Sequence, residues 1–302
     1  MASPRLPRLL KRSSQHRQDA VERRFGRGGN RIRVWDIPFT PQPDEDGRED
    51  ASSDDGTGEV PVFVLVHGWG VSSRLFLRVA ARLRQHGRVL VFDLPGFNDV
   101  PHPDDAMGIS AFAAAAARVL DELEVEQPVL VGHSMGAQVV VGMAHREPRL
   151  GGRMVLVSPV VPLDLRTPVT AARAFLRSSM HERFGAALWS VAGYFKSGLR
   201  WPLQILPSLL SYPIENEIEG LGGRLVIVRG EHDLLCPQDW ADGLLKRSGA
   251  VGQVVVIDGA AHQVVVDDAA RIEEVTLSVA GGSQHESAFD KGKHRPRGAG
   301  GS

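Results

Sequence analysis

A serine flanked by glycines, Gly132-His133-Ser134-Met135-Gly136, follows the apolar run Pro128-Val129-Leu130-Val131 and precedes Ala137-Gln138-Val139-Val140-Val141. The pattern reads as strand, sharp turn and buried helix, which makes Ser134 a candidate nucleophile. A serine at such a turn must take strained backbone geometry costing roughly 1–3 kcal/mol, tolerated because Gly132 and Gly136 remove side chains that would collide. The strain lifts the hydroxyl clear of the sheet. It also aims the Met135 amide and the amino end of the helix at the same point, where negative charge can be stabilised. A lone hydroxyl is a poor nucleophile, so a base must take its proton and an acid must hold that base in the right tautomer. Both belong at the sheet edge of Ser134, on loops leaving later strands. Two stretches qualify. Val228-Arg229-Gly230-Glu231-His232-Asp233 leaves a buried strand through a glycine that frees the turn and lets Asp233 point across the sheet. Asp258-Gly259-Ala260-Ala261-His262 leaves the last strand through small residues, so His262 can swing in.

The elements that must position these groups recur in a regular rhythm. Arg31-Ile32-Arg33-Val34-Trp35-Asp36-Ile37 alternates polar and apolar, the pattern of a half-exposed strand. Val62-Phe63-Val64-Leu65-Val66 is continuously apolar, as a strand covered on both faces requires. Ser72 or Ser73 then caps a helix with Phe76, Val79, Ala80 and Leu83 on one face. Buried strands at Val89–Phe92, at 128–131 and at Met154–Val157 alternate with helices begun at Ser110 and Met135. Right-handed crossovers make this a mostly parallel, twisted sheet of about eight strands with helices on both faces. The rhythm breaks over residues 162–219, where helical patches near 171–177 and 182–195 and the Pro-punctuated run Trp201–Pro207 predict a helical insertion. Its aromatic residues, among them Trp189, Tyr194 and Trp201, predict an apolar face lying over something. Strands return at Leu225–Val228 and Val254–Ile257, with helices over 237–247 and 267–279.

The order Ser, Asp, His along the chain differs from the two common protease orders. Taken in sequence, His67-Gly68-Trp69-Gly70, Asp93-Leu94-Pro95-Gly96-Phe97, Gly132-His133-Ser134-Met135-Gly136, Gly230-Glu231-His232-Asp233 and His262 give the chain, from about 30 to 280, a resemblance to the α/β-hydrolase fold. The resemblance implies Ser134 as nucleophile, His262 as general base and then acid, and Asp233 as its orienting carboxylate. It also implies an oxyanion hole from the backbone amides of Trp69 and Met135, where one donor is typically worth about 3–4 kcal/mol of transition-state stabilisation. Trp69, His133, Trp189, Tyr194 and Trp201 are the expected pocket residues, under a helical cap. Glu231 and His232 are rivals for a triad role, and Asp164 is the alternative acid. His133 is expected to pack or bond within the turn, His67 to fix the oxyanion loop through backbone, and Cys236 to fill space. One departure from the family stands after Phe97, where relatives carry Gly and then Ser and this chain has Asn98-Asp99-Val100.

The 302 residues, 42% hydrophobic and 24% charged, suit one globular catalytic domain. A formal net charge of -1 gives no overall attraction to nucleic acid. The single cysteine cannot form an internal disulfide, no Cys/His spacing suggests a metal, and no apolar run has signal-peptide or membrane-span length, so a cytoplasmic protein without cofactor is expected. Residues 1–29 are expected to form a mobile basic arm, 41–59 a flexible acidic loop and 282–302 a disordered tail, with the core divided into 30–161 and 220–281 around a cap at 162–219. Weak membrane-surface association through the arm is a further expectation. The expected activity is that of a serine hydrolase on a small hydrophobic ester or related acyl substrate. The alternatives are carbon–carbon hydrolysis or acyl transfer on the same triad, and a ligand sensor that keeps the fold without catalysis.

Overall fold

The computed structural model describes residues 20–41, 60–103, 105, 107–180 and 200–281. The expected acidic loop beyond Pro41, the helical patch at 182–195 with Trp189 and Tyr194, and the C-terminal tail lie outside the described residues, as do residues 1–19 of the basic arm.

Strands β1 (Val21–Phe25), β2 (Ile32–Ile37), β3 (Val62–Val66), β4 (Arg88–Asp93), β5 (Val129–His133), β6 (Arg153–Val157), β7 (Arg224–Gly230) and β8 (Val251–Ile257) make one sheet. Their spatial order is β1-β2-β4-β3-β5-β6-β7-β8. β1 and β2 pair antiparallel with each other and β2 antiparallel with β4, while β4 through β8 run parallel. The chain therefore moves outward from β3 to β4 and then returns across β3 to β5. That reversal opens a crevice between the carboxyl ends of β3 and β5.

Alternate residues of each central strand feed opposite sides of the sheet. Val64, Leu90, Leu130 and Leu156 pack with helices α2 (Ile109–Glu122) and α3 (Met135–Arg146) and with Ala241 and Leu244 of α7 (Gln238–Ser248). Leu65, Val91, Val131 and Val155 pack with α1 (Leu77–Leu83) and α9 (Ala269–Ala280). Between β6 and β7 the chain inserts α4 (Pro168–Ser179), α5 (Arg200–Ser211) and the short α6 (Ile214–Glu217); α8 (Val264–Asp267) follows β8. α4 starts on a capping box in which the Thr167 and Thr170 side chains satisfy each other's backbone amides. α5 is one helix across both of its prolines: Pro202 sits in the first turn, where its missing amide has no intrahelical partner, and Pro207 sits on the exposed side.

Two expectations are corrected. Residues 20–29 are not part of a mobile arm, because β1 hydrogen-bonds along β2 in register from Val21 opposite Asp36 to Phe25 opposite Ile32. Its three charged residues mark an edge strand, whose stability comes from the backbone ladder and whose charges discourage further pairing. β2 is not half-exposed either. Arg33 is buried with its apolar neighbours, because a buried carboxylate, Asp93, lies opposite it.

Candidate active site

β5 ends at His133 and α3 begins at Met135, so Ser134 alone makes the turn, at φ 55° and ψ -118°. That conformation is one a non-glycine residue holds only at a cost. The turn is compressed on both sides. A side chain at Gly132 would place its Cβ 2.4 Å from the Gly136 carbonyl oxygen, and one at Gly136 would come within 2.1 Å of the Val66 carbonyl oxygen. Glycine at both positions is therefore a packing requirement.

Above this turn three side chains converge. His262 Nε2 lies 3.0 Å from Ser134 Oγ, and His262 Nδ1 lies 3.2 and 3.1 Å from the two oxygens of Asp233. An ionised Asp233 can only accept, so Nδ1 carries the proton and the Nε2 lone pair faces the serine hydroxyl. Burial by itself pushes the Asp233 carboxyl up. The charge of and hydrogen bond to His262, the Ser158 hydroxyl beside it and the Leu235 amide outweigh burial and hold it below its ordinary value. The Leu235 amide donates to Asp233 Oδ1 at 3.0 Å.

Further residues hold the two loops. Arg229, itself buried, donates from Nε to the Cys236 carbonyl at 2.6 Å and from Nη2 to the carbonyls of Glu231 and Asp233 at 3.3 Å each. One planar guanidinium thus grips three carbonyls of the loop that carries Asp233. Gly230 lets that loop meet the His262 loop, since a Cβ there would lie 2.2 Å from the Ala261 carbonyl oxygen. The rivals to Asp233 stand elsewhere: Glu231 accepts from the Gly259 amide at 2.9 Å, Asp164 is exposed, and His232 Nε2 lies 3.9 Å from Glu231 Oε2. Burial pushes the Cys236 thiol up and leaves it a packing residue.

The loop after β3 presses on the serine turn, for a Cβ on Gly68 would lie 3.1 Å from Ser134 Cβ. His67 ties this loop to its neighbour after β4: its Nε2 accepts the Leu94 amide at 3.1 Å and its Nδ1 donates to the Gly68 carbonyl at 2.7 Å. Asp93, fully buried, accepts from Arg33 Nε at 2.9 Å, Trp35 Nε1 at 3.2 Å, the Ser73 amide at 2.8 Å and the Ser73 hydroxyl at 2.9 Å. It joins β2, β4 and the exit of the loop holding Trp69. Sequence reasoning missed Arg33, Asp93, Ser73 and Arg229 as site-shaping residues. A buried-type strand ending in a charged residue at Asp93 was the available signal.

Of the expected pocket residues, Trp69 is half-buried beside the serine turn, and Trp201 is buried where α5 meets the loop after β4. His133 is 1% exposed and donates from Nε2 to the His262 carbonyl at 3.0 Å, so it braces the backbone of His262. Burial, with His262 adding to it, pushes the His133 imidazole down to about 3. The insertion reaches the same loops: the Phe175 ring stands edge-on to His262 with centroids 6.4 Å apart, and the Ser178 hydroxyl accepts the Leu234 amide at 2.9 Å. Among the described residues no cluster of His, Cys, Asp and Glu suits a metal ion, and no helix is long and apolar enough to cross a membrane.

A family model described as the alpha/beta hydrolase family matches residues 63–275. Among curated proteins, an sn-1-specific diacylglycerol lipase of Xenopus laevis is 38% identical over 114 residues, 36% of this chain and 36% of the lipase. A pimeloyl-[acyl-carrier protein] methyl ester esterase of Pseudoalteromonas atlantica is 37% identical over 105 residues, 33% of this chain and 38% of the esterase. The matched segments thus span little more than a third of those relatives. Among solved structures, an esterase from Exiguobacterium antarcticum superposes with a TM-score of 0.64 at 17% identity, over 82% of this chain and 94% of its own. An epoxide hydrolase from Vigna radiata does so at 0.64 and 18%, over 86% and 97%. At such identity the structures speak for the fold alone.

Proposed function

The chain belongs to the alpha/beta hydrolase family, and from that premise we propose that it is a serine hydrolase acting on a small hydrophobic ester through Ser134, His262 and Asp233. The observation that carries the proposal is the unbroken relay of 3.0 Å from hydroxyl to imidazole and about 3.1 Å from imidazole to carboxylate. In it, His262 takes the Ser134 proton as Oγ attacks the substrate carbonyl, and Asp233 stabilises the imidazolium that forms. The oxyanion is met by the amides of Met135, at the amino end of α3, and of Trp69. His262 then returns the proton to the departing alcohol, leaving an acyl-enzyme. Water activated by the same imidazole attacks the acyl carbon, releases the acid and restores the serine.

Ester chemistry is supported by the names of the two curated relatives, a lipase and a methyl ester esterase. A hydrophobic acyl group is supported by the helical insertion, which in this reading is a cap whose Phe175 reaches the ring of His262. The test is a panel of chromogenic esters of graded chain length. Ser134→Ala and His262→Ala should each lower turnover by about 10⁴–10⁶ if the three groups act as a unit. A loss of tenfold or less for His262→Ala would remove it as the base.

A further inference from the structure

Two indoles cross the boundary between the sheet edge and the insertion in opposite directions. Trp69, in the loop after β3, donates its Nε1–H to the Pro202 carbonyl of α5 at 2.9 Å. Trp201, the preceding residue of α5, donates its own Nε1–H to the Pro95 carbonyl in the loop after β4 at 3.1 Å. The bond from the Leu94 amide to His67 Nε2 closes the ring. Segments 67–69, 94–95 and 201–202 therefore form one circuit, in which each segment is bonded to the other two.

The packing shows that the circuit is built. Trp201 is 2% exposed and stacks on the His102 ring, with centroids 5.5 Å apart and planes 22° from parallel. A side chain at Gly96 would put its Cβ 2.0 Å from the Trp201 ring nitrogen, so the loop after β4 makes room for this indole. α5 is also pinned independently. The Ser208 hydroxyl accepts the Ile109 amide at 2.9 Å, and Gln138 of α3 donates to the Leu209 carbonyl at 3.0 Å.

Trp69 stands between Gly68 and Gly70, and Gly70 lies at φ 73°. Two flanking glycines give the chain around Trp69 more backbone freedom than larger residues would. Yet an oxyanion donor must be held within about 0.5 Å of its working place. His67 holds one side of that peptide unit through the Gly68 carbonyl, and the Trp69 side chain, sharing its Cα with the amide, ties the other side to α5.

Resting on the serine-hydrolase reading above, we propose that Trp69 and Trp201 are positioning residues, so that the seating of α5 sets where the Trp69 amide stands relative to Ser134. The insertion is then a working part of the oxyanion hole as well as a wall above it. Trp201→Phe and Trp69→Phe each keep an aromatic ring and delete one N–H. The readouts are kcat and KM for a short-chain ester, and the inhibition constant of a trifluoromethyl ketone, whose adduct alkoxide must sit in the oxyanion hole. For each variant kcat should fall at least about tenfold, with KM changed less than about threefold and ketone affinity weakened in proportion to kcat. The double variant should be little worse than the weaker single one, because the circuit is opened once.

A pocket wall would instead shift KM and chain-length preference while leaving ketone affinity and short-ester kcat alone. Wild-type kcat and ketone affinity, within about twofold, in a folded Trp201→Phe beside an inactive Ser134→Ala would overturn the positioning role and leave the serine reading standing. Should Trp201→Phe not fold, the half-buried Trp69→Phe decides by the same criteria. Full activity in Ser134→Ala would overturn both.

Discussion

Ser134 holds φ 55° and ψ -118°, a region that glycine occupies freely, so the strain belongs to the side chain's presence at that turn. Ser134→Gly should therefore be more stable than Ser134→Ala by about 1 kcal/mol, although neither keeps the hydroxyl. Urea unfolding of the two variants checks this, and equal midpoints would count against strain at the turn. Two buried histidines set a pH dependence. His133 and His67 are both held neutral by burial, His133 down to about 3, from an ordinary value of 6.5. Once unfolded, each binds a proton below about pH 6.5 that the folded chain refuses, so stability falls as pH falls from there, for His133 toward about 3. Each contributes up to about 1.4 kcal/mol per pH unit. His133→Gln keeps a donor for the His262 carbonyl and should flatten the stability curve between pH 6.5 and 5 by up to one proton's slope. Asp233 acts lower on the scale: its depressed value gives stability that is full above 3.8 and lost only as pH falls through the folded value. At this scale the residues found in the sequence were those whose chemistry is announced by near neighbours, as Ser134 is by its glycines. Arg33 was not, because its partner Asp93 lies 60 residues away and only the sheet brings them together.

Elements followed the same division. The central strands are apolar on both faces and separated by helical periodicity, so their existence and order could be read from local pattern alone. β1 could not. Glu22, Arg23 and Arg24 carry no hydrophobic signal, and the strand exists because β2 offers a free backbone edge. A chain begun at Asn30 loses that ladder, the Arg23–Asp36 ion pair of 2.9 Å and the packing of Phe25 on the core. Packing of one such side chain is worth about 1–2 kcal/mol, or roughly 2–4 °C in a protein of this size. Thermal unfolding against a chain begun at Ala20 should show a drop of that order, with self-association through the newly bared β2 edge visible in sedimentation. The insertion's helical character was legible at α4 and α5, but its bonds to the core were not. The Trp69, Trp201 and Gln138 donors all end on backbone carbonyls, which carry no residue signature.

For the molecule as a whole, the sheet order sets where chemistry can occur. Because β3 lies between β4 and β5, the loops after β3 and β5 open side by side, and those after β7 and β8 reach the same edge with Asp233 and His262. Segments 128 and 29 residues apart along the chain thereby contribute to one relay. The central claim, that this relay makes Ser134 nucleophilic, is tested most directly by intact-protein and peptide mass spectrometry after brief exposure to a fluorophosphonate ester. One adduct per chain, on the peptide holding Ser134, absent from Ser134→Ala and formed at least about 10³-fold more slowly in His262→Ala, is the predicted result. Labelling of His262→Ala at the wild-type rate, or an adduct on any other residue of the wild-type chain, would contradict it.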